Sequence, residues 1–233
     1  MTFSKQAQSA RDQVYAQLRR AIVMSHYRPG ERLNLHVLAE GCGVSVTPVR
    51  EALQMLDQEG LVSTKPRSGH FVTHLTLKEL LDWLDLREIL ELGAIERAAT
   101  RITDEQLQEL EQAHAGYSGD DEESVERYIN ENRRLHCLIA EASGNRQLAE
   151  MLGHVHDRLA RFMVVSHAGQ SMLEFKHERL IEALRARDPA MARKAILDEL
   201  SEMREVTLER VIREEGAFWH LGTQSQQTDQ YEK

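Results

Sequence analysis

LAEGCGVSVTPVREALQMLDQEGLVSTKPRSGHFV, residues 38–72, is the stretch on which the reading of this chain turns. Gly43-Val44-Ser45 supplies a tight turn, and Thr47-Pro48 opens a helix where the missing proline N–H costs little. Val49, Ala52, Leu53 and Leu56 recur at helical spacing and give that helix one apolar face. It ends at Gly60. Beyond it, alternation through Val62, Thr64, Phe71 and Thr73 surrounds Pro66-Arg67-Ser68-Gly69, the pattern of a two-stranded hairpin. Upstream, residues 36–41 read as a short helix. Residues 9–25 read as a longer one, with Val14, Leu18, Ala21 and Ile22 on one face, broken by Arg28-Pro29-Gly30. Three helices and a hairpin make a winged helix-turn-helix.

The start of the third helix is built to face outward. Ser45, Val46, Thr47 and Arg50 point away from the apolar face, and a helix fits a major groove about 12 Å wide. Serine and threonine hydroxyls suit phosphates or base edges, and Arg50 can fork onto a guanine or a phosphate. Lys65, Arg67 and Gly69 on the hairpin are small or basic enough to lie along DNA. His36 opens the second helix and is a further candidate. Taken singly, Arg50 could be a solvated helix charge and Gly69 only a turn.

From Thr76 onward the pattern is helical. Thr76-Leu-Lys-Glu79 is a capping box that opens a helix to about Ala99, and Thr103-Asp-Glu-Gln106 opens another. Further helices are expected over about 122–143, 146–167 and 172–187, and from Asp188-Pro189 to about Glu215. The expected division is a DNA-binding domain at 1–75, a helical effector-binding and dimerisation domain at 76–215, and a polar, disordered tail at 216–233. The fold class is therefore mainly α.

Charge divides along the same line. The net charge is −9, yet residues 1–75 hold nine Lys/Arg against six Asp/Glu, which is +3, while residues 76–233 hold twenty against thirty-two, which is −12. A basic module joined to an acidic one fits a partner of double-stranded DNA. No apolar run is long enough for a membrane span, and the first residues have no signal-peptide core. Cys42 and Cys137, far apart, read as small buried thiols in a reducing cytoplasm.

Residues 38–72 resemble the GntR family of regulators, whose pattern is roughly LA-x4-VSRTPVREAL-x2-L-x2-EGLV followed by a glycine-containing wing. The resemblance extends over residues 10–75 and implies that Ser45, Thr47, Arg50 and Gly69 contact DNA. Val46 stands where the family usually has arginine; a valine could meet a thymine methyl instead.

Residues 76–213 resemble the C-terminal FCD domain of FadR-type GntR regulators, through LREILELGAIERAA at 86–99, NRRLHCLIAEASGN at 132–145 and KHERLIEALRARDPAMARKAILDEL at 176–200. Metal-binding members carry D-x3-H, then H, then a second H 22 residues on. Here those places hold Asn132, His136, His177 and Glu199. Two of the four depart from the pattern, and both substitutes keep an oxygen donor. The resemblance implies a divalent metal, Zn, Mn or Ni, or a metal-free pocket at the same place. Independently, Asn132 and His136 share a helix face at i,i+4. His177 and Glu199 lie eleven residues before and after Asp188, so an antiparallel helix pair turning there sets them at one level. Arg87 matches a recurrent family arginine and could hold the carboxylate of a small organic acid; its alternative is an intrahelical pair with Glu91. Arg158 is a second effector candidate. His154, His156 and His167 read as solvated.

The function these features imply is a ligand-responsive transcriptional regulator, a repressor, that binds a near-palindromic operator as a homodimer and is not an enzyme. The competing reading is a helical-bundle metalloenzyme with an N-terminal interaction module. No nucleophile–base motif supports it. A purely structural chromatin binder would have no use for a ligand domain.

Overall fold

A computed structural model describes residues 9–113, 121–167, 177–213 and 219–220. Helix α1 (Ala10–Val23) begins at Ser9, whose hydroxyl accepts from the Asp12 N–H. Strand β1 (Arg32–Leu33) leads to α2 (Leu35–Cys42), capped by Asn34 and closed by Gly43 at φ +65°, a conformation that favours glycine. Helix α3 (Val46–Gln58) follows, then β2 (Val62–Lys65) and β3 (Gly69–Val72). The sheet order is β1-β3-β2, antiparallel throughout, with Arg32 opposite Phe71 and Lys65 opposite Gly69. The expected hairpin is there; β1 was too short to leave a periodic signal.

The helical half starts at β4 (Leu75–Thr76) and α4 (Leu77–Arg101), and the Thr76–Glu79 capping box is formed. Then come α5 (Asp104–Ala113), α6 (Glu122–Ala142), α7 (Arg146–His167), α8 (Glu178–Arg185) and α9 (Pro189–Arg213). Residues 172–176, expected to begin α8, lie outside the described residues. Arg187 at φ +53° turns the chain, and the Asp188 carboxylate accepts from the N–H groups of Ala190 and Met191 to start α9. Within the segment expected as a tail, β5 (Trp219–His220) pairs in parallel with β4, and the rest of 216–233 is outside the described residues. A two-residue strand carries no period for a sequence to show.

Leu53 and Leu56 of α3 are fully buried against Val14, Leu18 and Ile22 of α1. Truncating Leu53 to alanine would cost roughly 2–5 kcal/mol. That same core continues into Tyr128 and Ile129 of α6 and Ala160 and Met163 of α7. The core of the N-terminal half thus reaches into the helical half, which holds further apolar clusters of its own. Both cysteines are free and only half-buried, which corrects the expectation of buried thiols.

Candidate functional site

Two regions carry the candidate residues. The first is the outer face of the N-terminal module. Ser45, Thr47 and Arg50 are exposed, and Val46 is half-exposed. Ser45 is the N-cap of α3, but its hydroxyl makes no capping hydrogen bond, so it remains free for an outside acceptor. His36 is exposed at the start of α2. Lys65 and Arg67 are exposed on the wing, and the Lys65 ammonium sits 5.2 Å over the Phe71 ring. Gly69 has φ +113°, and a Cβ there would press on the Arg32 guanidinium at 3.3 Å. Arg32 was not singled out from the sequence; it is an exposed arginine that β1 brings beside the wing.

The second region is a sealed polar cluster inside the helical half. Arg87 and Glu91 come from α4, His136 from α6, His156 from α7, His177 caps α8, and Glu199 comes from α9. Arg87 is 2% exposed, Glu91 and His136 0%. Burial this deep demands partners. Arg87 Nε donates to Glu91 Oε1 at 3.3 Å and Nη2 to His136 Nε2 at 3.0 Å, with Nη1 against Met203 Sδ at 2.7 Å. His156 Nε2 reaches Glu91 Oε1 at 3.2 Å. His177 Nδ1 reaches Glu199 Oε2 at 2.9 Å, and His136 Nε2 is 3.3 Å from Glu199 Oε1. His136 stacks on His156 and meets His177 edge-on. Asn132 is buried one turn before His136 on α6.

The electrostatics follow from that geometry. Burial alone would raise the Glu91 carboxyl, but His136, His156 and Arg87 outweigh it and hold it well below its ordinary value. Glu199 is held low against burial in the same way, by His177 and His136. Burial, with the nearby Arg87 charge, pushes the His156 imidazole down to about 3, so it stays neutral. Burial and the nearby Arg87 charge would lower the His136 imidazole, but Glu91 and Glu199 outweigh them and raise it. Ligand atoms of His136, His177 and Glu199 all lie within 4.8 Å of one another, as do those of Glu91, His136 and His156. A His/His/carboxylate donor set of that span fits a divalent metal.

The structure therefore gathers Arg87, His136, His177 and Glu199. Arg87 makes the intrahelical pair with Glu91 and also faces His136. Arg158 is elsewhere, its guanidinium 5.4 Å over the Trp83 ring and against Gly60. His156 corrects the solvated reading: it is 4% exposed and belongs to the cluster. It lies on the stripe of Leu152, Val155 and Leu159, a helical period that could have shown its burial from sequence. Glu91, one turn from Arg87, had the same signal. His154 is exposed, and the His167 side chain lies outside the described residues.

Helix α7 joins the two regions. One residue past His156, Asp157 pairs with Arg19 of α1 at 2.8 Å and Arg133 of α6 at 2.9 Å. Arg161, 2% exposed, donates to the Thr73 hydroxyl at 3.0 Å, and that hydroxyl donates to the Gly60 carbonyl at 2.9 Å. Burial lowers the Arg161 pKa to about 10. Gly60 sits at φ +67°, and a Cβ there would lie 2.5 Å from the Arg158 guanidinium. The end of α3 and the root of the wing are thus fastened to α7.

Known proteins agree with this architecture. The model of bacterial regulatory proteins of the gntR family matches residues 10–72, and the FCD domain model matches residues 82–202. The chain is 30% identical over 193 residues to the uncharacterized HTH-type transcriptional regulator YdhC of Bacillus subtilis (strain 168), spanning 79% of this chain and 85% of that one. It is 29% identical to the HTH-type transcriptional repressor RspR of Escherichia coli (strain K12), over 91% and 94% of the two chains. The solved structure of E. coli McbR/YncC is similar with a TM-score of 0.71 at 25% identity, covering 87% of this chain and 99% of that one. A helix-turn-helix with a wing, docked on an FCD domain, places this chain in the gntR family of bacterial transcriptional regulators, as a DNA-binding protein and not an enzyme.

Proposed function

We propose that this regulator is a repressor that binds a near-palindromic operator as a homodimer in the cytoplasm, and that a small organic acid with a divalent metal ion controls it through the buried cluster. The observation that carries this reading is the convergence of Arg87, His136, His177 and Glu199 beside His156 of α7, the helix whose Asp157 and Arg161 grip the DNA-binding module. Relatives named as repressors, RspR and GlaR of E. coli, favour the sign of the effect. Among the described residues no helix is long and apolar enough to cross a membrane.

On DNA, Arg50 reads a base edge, Val46 touches a thymine methyl, and Ser45, Thr47 and His36 hold phosphates or neighbouring edges. Lys65, Arg67 and the Gly69 backbone follow the sugar–phosphate chain. In the cluster, His136, His177 and Glu199 hold the ion, with the Asn132 amide as the weakest donor. Such an ion would offer a Lewis-acidic anchor for one carboxylate oxygen of the acid. Arg87 takes another oxygen of the acid. The division of labour keeps residues 1–75 for DNA and 76–215 for ligand and dimer. Half-sites must be about 34 Å apart, or a multiple of it, so a small tilt of α7 is enough to change the fit of two wings.

The test is a gel-shift screen of genomic fragments, followed by a panel of organic acids with and without Zn²⁺, Mn²⁺ or Ni²⁺. Sequence-specific binding that one acid releases, by a particle of dimer mass in light scattering, is the expected result. Absence of any sequence-specific binding, or a monomer with and without DNA, would overturn the proposal.

A further inference from the structure

The Arg87 guanidinium is aimed at the one ring nitrogen that a metal at His136, His177 and Glu199 requires. Its Nη2 is 3.0 Å from His136 Nε2. Guanidinium nitrogens only donate, so Nε2 is the acceptor of that bond. With Nε2 accepting, the ring N–H resides on Nδ1, 2.8 Å from Glu91 Oε1 but poorly aligned with it, while Nε2 also has Glu199 Oε1 at 3.3 Å. A lone pair already engaged by a guanidinium N–H cannot also ligate an ion. Meanwhile Glu91 Oε2 is fully buried with no hydrogen-bond partner among the described residues, although its twin Oε1 has Arg87 Nε at 3.3 Å. An acceptor left open at i,i+4 from an arginine is the natural second tooth of a bidentate fork.

We infer that Arg87 is a displaceable competitor for His136 Nε2, so that this arginine and a divalent cation exclude each other there. The inference rests on the metal reading proposed above and goes beyond it in assigning the control of affinity. On leaving Nε2, Arg87 releases His136 and Met203 and swings onto an anionic acceptor, either Glu91 Oε2 or the carboxylate of a bound acid. The organic acid, by drawing Arg87 away, opens the ring nitrogen to the metal. A metal at that nitrogen in turn leaves Arg87 free for the acid. Linkage makes the two effects equal in size, so acid and metal bind with positive cooperativity.

Isothermal titration of the full chain with NiCl₂ in a carboxylate-free, non-chelating buffer tests the competition directly. Arg87→Met keeps an unbranched stem, removes every donor and removes the fixed charge. The expected result is that Arg87→Met binds Ni²⁺ at least about tenfold tighter than the wild type, as loss of a like charge at close range demands. His136→Ala should abolish that binding in either background. Wild-type binding with Arg87→Met unchanged or weaker overturns the competition and leaves the metal reading standing. No Ni²⁺ binding by either protein overturns both. Should Arg87→Met fail to fold because Glu91 loses its partner, Arg87→Met/Glu91→Gln removes both charges together, and a smaller tightening, from the freed Nε2 alone, is required of it.

Discussion

The DNA-facing surface and the buried cluster use the same side chains, arginine and histidine with acidic or hydroxyl neighbours, under opposite solvent conditions. On the outer face, Arg50, Lys65 and Arg67 are exposed, and among the described residues none of them has an ion pair. Inside, Arg87, Glu91, His136, His156, His177 and Glu199 bond to one another, with Glu91 Oε2 and His136 Nδ1 left without a hydrogen-bond partner among the described residues. Water screens the first group, so its members act independently; burial couples the second, so altering one changes the charge balance of the rest. The surface can vary its specificity one residue at a time. The cluster can change its ligand only as a set.

The sharpest way to break this comparison is to remove Glu91. Glu91→Ala leaves Arg87 as a buried charge without its carboxylate, and breaking a buried pair on one side costs about 3–5 kcal/mol. Urea denaturation of the purified protein measures it. A loss below about 1 kcal/mol, the range of an exposed pair, would show that water reaches the cluster.

Next in size is the fastening of the wing. Thr73→Val keeps the shape but takes the hydroxyl from Arg161, whose Nη2 already has no partner among the described residues. The expected destabilisation is about 1–3 kcal/mol, the cost of leaving a buried donor unmade. Adding Arg161→Met should recover part of it, and a double-mutant cycle showing strict additivity would argue that Arg161 and Thr73 do not communicate.

The same contrast explains what the sequence could show. The winged helix-turn-helix was legible because its signals are local: a turn at Gly43, a proline in the first turn of α3, an apolar face three and four residues apart. The pairing of His177 with Glu199 was legible too, because one turn at Arg187-Asp188 sets both at equal distance along α8 and α9. His156 and Glu91 were not singled out, since these two partners lie 65 residues apart in the chain and no spacing rule links α4 to α7. Arg158, the second effector candidate, shares α7 with His156 but lies on the side that faces Trp83 and Gly60, away from the cluster. Short strands β1 and β5 depend on partners distant in sequence and left no period at all.

On the outer face the effects should be smaller in stability and confined to DNA. Arg50→Ala is expected to leave the unfolding midpoint unchanged and to weaken a specific operator by about 1–3 kcal/mol, with relaxed preference at one base position. Fluorescence anisotropy on the operator and on single-base variants reads both. Equal loss on every sequence would move Arg50 from base to phosphate.

Lys65→Ala should have the smallest effect and the most distinctive form. The ammonium lies over the Phe71 ring, which holds it on the wing, and neither β2 nor β3 contains a carboxylate. A point charge so placed has no fork with which to recognise a base edge, so its partner on DNA is a phosphate. Binding to phosphate releases a counterion, and the contribution of one such ion pair appears in the slope of log affinity against log salt. Lys65→Ala should therefore weaken operator and random DNA by the same factor and lower that slope by about 1. The loss should shrink as salt rises, whereas the defect of Arg50→Ala, which falls on base reading, distinguishes one sequence from another at every salt concentration. Anisotropy titrations on both DNAs at several salt concentrations decide it. An unchanged slope would take Lys65 off the DNA, and a loss confined to the operator would make the wing a reader of sequence.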